Sequence, residues 1–144
     1  MMQQNLTLEM LTTEGIIDLY TGADMRIGAG DAAKLADNMP LPGLIYEDGR
    51  PIAGGGVYPK WTGTGIAWLA FHRRWRRYAN DITAIIAQVI DGYAEEYDRI
   101  EAGVLSDWRI GRRYAERFGF ILEADRMRSW DASGRDYALY ARVR

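Results

Sequence analysis

The chain has no cysteine and only one histidine, His72. The first absence excludes disulfides, thiolate nucleophiles and Cys-ligated zinc. The second leaves any metal site short of its commonest donors, because such sites gather several His, Cys or clustered carboxylates. No metal is expected. An excess of one charge is missing too. The 18 Lys and Arg nearly balance the 20 Asp and Glu, for a net charge of −2. No whole-molecule field therefore draws the chain to nucleic acid or to anionic lipid. No apolar stretch approaches the ~20 residues of a membrane span. The first residues, Met1-Met2-Gln3-Gln4-Asn5, lack the basic region and apolar run of a signal peptide. These absences together lead us to expect a protein of the cytoplasm that does not enter a membrane.

What is present suits one domain covering residues 1–144. A chain of this length buries roughly 68–70% of its unfolded surface and needs no covalent staples. Leu6, Leu8 and Met10 alternate with Thr7, Glu9 and Leu11, the pattern of a first strand. Residues 13–36 read as two helical pieces. Thr13 is placed to cap a turn carrying Ile16, Ile17, Leu19 and Tyr20. Gly28 and Gly30 interrupt, Asp31 is placed to cap a short helix through Leu35, and Pro40 and Pro42 end the region.

Residues 41–46 are apolar and β-prone. Asp48-Gly49 then supplies a hairpin turn, and residues 51–58 return as a strand. Gly54-Gly55-Gly56 inside that strand calls for a bulge or a close backbone approach. Residues 59–65 read as a loop, and residues 66–71 as a buried central strand. A helix over 81–97 places Ile82, Ile85, Ile86, Val89, Ile90, Tyr93 and Tyr97 on one face, with Asn80 as its N-cap. Residues 99–105 form the next strand. Asp107 is set to cap a helix over 108–118 that buries Trp108, Gly111, Tyr114, Ala115 and Phe118 and leaves Arg109, Arg112, Arg113, Glu116 and Arg117 outside. Gly119 stops it as a C′ residue. Residues 120–127 and 136–143 are the last strands, joined by the turn Asp131-Ala132-Ser133-Gly134. The order is β-α-α-β-β-β-α-β-α-β-β.

That order resembles the GNAT N-acetyltransferase superfamily over nearly the whole chain. The most specific stretch is Ile110-Gly111-Arg112-Arg113-Tyr114-Ala115-Glu116-Arg117-Phe118-Gly119-Phe120, which is similar to the family's fourth helix and the Gly-Phe that opens the next strand. A second, Arg74-Trp75-Arg76-Arg77-Tyr78-Ala79, resembles the pyrophosphate loop Gln/Arg-x-x-Gly-x-Gly/Ala, with Arg77 where the glycine falls. The ending from Gly134 to Val143 is similar to small GNAT-like proteins of tailed bacteriophages, some of which resemble internal virion proteins.

The resemblance implies an α/β fold of mixed, mostly antiparallel character, with about seven strands and helices on both faces of the sheet. It also implies direct acetyl transfer from acetyl-CoA to an amine. Leu69 and Phe71 on the central strand, Arg74 and Arg77 in the loop, and Ala79 and Asn80 at the helix start would line the cofactor. An Arg77 at positive φ would be strained, while its charge would pair with phosphate. Asp81 in the first helical turn would oppose that phosphate. Two readings of the segment stand: a cationic CoA loop anchored by Arg73, Arg74, Arg76 and Arg77, or a solvated basic loop packed through Trp75 and Tyr78.

Many family members use a tyrosine on the fourth helix as the acid. That position here is Ala115, with Tyr114 one residue earlier and turned by ~100°. Tyr114 is thus either the acid or a core residue. The central strand has no carboxylate for a base, so His72 at its end is the neutral-pH candidate, against a merely structural role. Glu47 and Asp107 would act only through water.

The functional alternative is a non-catalytic GNAT-fold phage protein, located in the host cytoplasm or the virion, that binds phage or host proteins. The arginine and aromatic mixture of residues 72–78 is one short cluster on an acidic chain, so nucleic acid is not an expected partner. Trp61 and Trp130 sit near loops and could form a contact surface. Arg109, Arg112, Arg113 and Arg117 form a helical face that is either simply solvated or a docking site for an acidic partner.

Overall fold

The structure, a computed structural model, describes residues 6–21, 29–38 and 43–144. Among the described residues, seven strands and four helices follow in the order β1 (Leu6–Glu9), α1 (Thr13–Thr21), α2 (Ala29–Asn38), β2 (Leu44–Glu47), β3 (Arg50–Trp61), β4 (Thr64–Phe71), a 3-10 segment (Arg73–Tyr78), α3 (Ala79–Ala94), β5 (Arg99–Leu105), α4 (Arg109–Arg117), β6 (Ile121–Met127) and β7 (Tyr137–Val143). They form one mixed sheet in the order β1-β2-β3-β4-β5-β7-β6. The β1–β2, β2–β3, β5–β7 and β6–β7 pairs are antiparallel. β4 and β5 are parallel, with Thr64 opposite Arg99 and Ala67 opposite Ala102. The element order and mixed sheet agree with the expectation. By contact density the chain divides into two units. The first is Met1–Tyr58 with Leu69–Gly92, and the second is Pro59–Trp68 with Tyr93–Arg144.

The first unit is built on close backbone approaches. Leu44 and Ile45 are adjacent on β2, so their side chains point to opposite faces of the sheet, and both are buried. Both faces of this strand are therefore covered. On β3, Gly54 lies under Leu19 of α1: a Cβ there would stand 2.7 Å from the leucine Cδ2. The glycine run thus serves close packing. The bulge lies beside it, where Ile45 faces Ala53 and Tyr46 faces Pro51, leaving Ile52 as the extra residue. The Asp48-Gly49 turn has both residues at positive φ, 49° and 79°, which matches the right-handed twist of the strands it joins. On α3, Ile82, Ile85 and Ile86 are buried at helical spacing.

Several expected boundaries move. Leu6 is buried but Leu8 and Met10 are exposed, because β1 is an edge strand of only four residues and the chain turns inward again at Leu11. Thr12, not Thr13, caps α1: its Oγ1 accepts the Gly15 N–H at 3.0 Å. Asp31 lies inside α2, which begins at Ala29. Gly28, Pro40, Leu41 and Pro42 lie outside the described residues. The expected loop 59–65 is strand on both sides of a tight turn at Thr62-Gly63. Gly63 has φ 81°, and its carbonyl accepts from the Asp98 and Arg99 N–H groups. Pro59 is tolerated there at an exposed strand position. β4 is central in strand order, yet Ile66, Ala67, Trp68 and Leu69 are only half-buried.

In the second unit, β7 lies between β5 and β6. Tyr140 and Ala141 are consecutive and both buried, so here too both faces of the strand are covered. Helix α4 ends as its sequence predicts. The Phe120 N–H bonds the Ala115 carbonyl and the Gly119 N–H bonds the Glu116 carbonyl, with Gly119 at φ 87°. This is a Schellman motif. Its start differs from the expectation. Trp108 occupies the N-cap without a side-chain bond, and Asp107 instead pairs with Arg126 at 3.3 Å. Trp108, expected in the core, is 41% exposed and lays its ring on Gly111.

Candidate functional site

In the first unit, β4 delivers Phe71 and then His72, which has the extended backbone of an N-cap (φ −72°, ψ 147°). Its Nδ1 accepts from the Arg74 N–H at 3.2 Å and from Arg74 Nε at 3.3 Å. Arg74 Nη1 reaches the buried Glu47 carboxylate at 3.3 Å. Glu47, Arg74 and His72 thus form one chain of contacts across 27 residues of sequence. A neutral imidazole has one lone pair. With Nδ1 accepting, the proton of the neutral ring resides on Nε2. For His72 to act as a base through Nδ1, Arg74 would first have to let go.

Burial lowers the His72 pKa, and the positive charges of Arg74, Arg73 and Arg50 lower it further, against a smaller opposing effect from Asp18. The unfolded chain takes up the proton first, so this contribution to stability is complete above about pH 6.5 and is lost as pH falls towards the lower folded-state pKa. His72→Asn keeps a side-chain acceptor at the cap and removes the titration. Melts between about pH 5 and 8 are therefore expected to show a flatter acid limb for the variant. Equal slopes in the two proteins would remove His72 as the titrating group.

The 3-10 segment runs directly into α3, since Ala79 is already helical at φ −54°, ψ −41°. The Ala79 N–H bonds the Arg76 carbonyl. Asn80 is therefore inside the helix and not its cap. Arg77 has no positive φ. The 3-10 turn lets an arginine stand at the glycine position without strain, and its guanidinium lies 5.7 Å from the Tyr78 ring centroid. Arg73, Arg76 and Arg77 are exposed. Arg74 is held inward by His72 and Glu47. Trp75 packs on Phe71, ring centroids 4.4 Å apart. Leu69 and Phe71 are half-buried at the end of β4. The structure therefore gathers His72, Arg74, Arg77, Phe71, Ala79 and Asn80 into one continuous segment.

Tyr114 belongs to the second unit. Its ring stacks on Phe118 at 5.4 Å, and Ala115 beside it is buried. The polar centre of this unit was not legible in the sequence. Arg112, expected in solvent, donates to Tyr140 Oη at 3.1 Å, to the Ser106 carbonyl at 3.1 Å and to Asp125 at 2.7 Å. The Tyr140 hydroxyl in turn donates to Glu116 at 3.0 Å. Tyr140 is fully buried. The available signal was the position of Arg112 beside Gly111, at the margin of the buried face. Arg112, Ser106 and Glu116 of this network line a cleft of about 480 Å³ together with Asp107, Arg109 and Arg113. Trp61 and Trp130 are both exposed, Trp61 beneath Lys60 at 4.3 Å. Among the described residues no cluster of His, Asp and Glu could hold a metal ion, and no helix is long and apolar enough to cross a membrane.

No protein-family profile matches the chain, and no curated protein does. Solved structures do match it. Ard1 from Thermoplasma volcanium superposes with a TM-score of 0.80 at 14% identity, over 96% of this chain and 97% of that one. The ribosomal-protein-S18-alanine N-acetyltransferase from Escherichia coli gives 0.73 at 13%, over 96% and 93%. YncA from Salmonella typhimurium, solved with its cofactor acetyl-CoA, gives 0.71 at 13%, over 97% and 94%. Coverage near the full length of each chain means that the same elements recur in the same order. The chain has the fold of the GNAT acetyltransferases.

Proposed function

We propose that the protein is an acetyl-CoA-dependent N-acetyltransferase acting on an amine acceptor. The observation that carries this reading is the run Arg73–Tyr78 at the entry to α3, which sets three exposed guanidinium groups on a chain of this fold. Their chemistry fits a pyrophosphate, because guanidinium groups bond phosphate oxygens in pairs. The fit differs from that of a glycine-rich cradle. The Ala79 N–H is already used by Arg76, so recognition would rest on Arg73, Arg76 and Arg77 side chains more than on backbone amides. Arg74 would position His72 and would not touch the cofactor.

Acetyl-CoA, when bound, supplies the acetyl thioester. Leu69 and Phe71 would offer it an apolar strand surface, and Ala79 and Asn80 the first turn of α3. His72 would act through its Nε2–H as a donor. The acceptor amine would therefore reach the site neutral, its proton leaving later to solvent.

Titration with acetyl-CoA tests the proposal. The melting temperature is expected to rise by mass action, with ligand at 100 times its Kd adding about 2.7 kcal/mol of stability. No shift at about 1 mM, the upper end of ordinary enzyme affinities, would favour the non-catalytic, protein-binding alternative.

A further inference from the structure

We propose that the cleft beside α4 is a docking site for an acidic peptide segment of a partner protein. Helix α4 carries four arginines and one glutamate in nine residues, on a chain whose net charge is −2. Arg112 is committed within the unit to Asp125, Ser106 and Tyr140. Among the described residues, Arg109 and Arg113 have no hydrogen-bond or ion-pair partner, and both line the cleft. Folding does not account for them. They are one turn apart, where like charges weaken a helix, and Arg113 repeats the conflict with Arg117. An anionic ligand across that face would turn this repulsion into attraction.

The spacing selects the ligand. Residues four apart on a helix are separated by about 6 Å along its axis. Alternate side chains of an extended peptide are about 6.6–6.8 Å apart. Carboxylates at positions i and i+2 of such a peptide therefore meet Arg109 and Arg113 together. The two acids of the cleft argue against a nucleic acid strand. Asp107, paired with Arg126, and Glu116, which accepts from Tyr140, interrupt the positive face, so a continuous row of phosphates would meet them, whereas an extended peptide carries its carboxylates only at chosen positions. A peptide also carries N–H groups, which Glu116 can accept. The test of this surface reads binding alone.

The test is fluorescence anisotropy of the whole chain with a dye-labelled peptide bearing glutamate at alternate positions. The glutamine counterpart and a single-stranded oligonucleotide of equal charge serve as competitors. Saturable binding to the glutamate peptide is expected, weakened about tenfold in Arg109→Gln/Arg113→Gln. Arg128→Gln, which alters an exposed arginine of the β6–β7 connection, is expected to bind as the parent does. The double variant is expected to melt at or above the parent temperature, because no internal partner is lost. The proposal is overturned by equal binding of the glutamine peptide, an unchanged double variant, equal loss in Arg128→Gln, or tighter binding of the oligonucleotide. A double variant that melts well below the parent would also overturn it, by making the two arginines structural.

Discussion

Gly43→Ala is expected to destabilise the fold by about 3 kcal/mol, the upper range for forcing atoms into a packed site. Gly43 sits just before β2. Its N–H donates to the Glu9 carbonyl at 3.1 Å, and its carbonyl accepts the Gly55 N–H at 2.8 Å. A Cβ would overlap the Gly55 carbonyl oxygen, with Leu11 packed close behind. That oxygen belongs to the backbone of β3 and cannot rotate away, so relief requires separating two chains that these bonds hold together. Gly111→Ala makes the contrast. There the obstacle is a side chain, the partly exposed Trp108 ring, which can turn outward where a backbone carbonyl cannot. Helix α4 also gains about 1 kcal/mol of propensity when alanine replaces glycine. Its net change is expected to be near zero. Urea melts of the two variants compare them directly, with midpoint shifts at constant slope. A Gly43→Ala cost below about 1 kcal/mol would mean that the backbone yields there.

Reversing the exposed arginines, Arg73→Glu with Arg76→Glu and Arg77→Glu, is expected to lower acetyl-CoA affinity about 100-fold, a factor within the reach of three charge-assisted contacts. The three are exposed and none of them contacts Glu47, so the fold is expected to hold. Arg74 stays in place for the opposite reason. Its removal would leave the buried Glu47 without its guanidinium and His72 without one of its two donors, mixing a folding effect into a binding measurement. Calorimetry of the triple variant against the parent, at one ionic strength, separates the two readings of this segment. Unchanged affinity would make it a solvated basic turn.

The fold was largely legible because each element carries its own periodic signal. Ile82, Ile85 and Ile86 marked α3, Asp48-Gly49 marked the hairpin, and Gly119 marked the end of α4. Boundaries were missed where tertiary context outweighed local chemistry. Pro59, Gly63 and Gly65 read as a loop because turn residues outnumber strand formers there, yet Thr64 and Gly65 pair with β5. Asn80 read as a cap because nothing in the sequence announces that the 3-10 segment continues into α3. The candidate site was half legible. Its contiguous part, residues 71–80, could be found from local residues. The Glu47–Arg74 contact and the Arg112–Tyr140–Glu116 network join residues 24 to 28 apart, and residue spacing carries no trace of such pairs.

The place of β7 between β5 and β6 also constrains the order in which the second unit can form. Among the described residues, β6 has a single ladder partner, and that partner is made later in the chain: Ile121 waits for Ala141 and Met127 for Tyr137. During synthesis, α4 and β6 emerge before the strand that ties them to β5. The exposed Ile121 and Leu122 then face water beside an open edge for the time the ribosome needs to extend the chain past residue 143. Assembly of this half is thus a late, concerted event, and the interval before it is when the nascent chain is most open to aggregation.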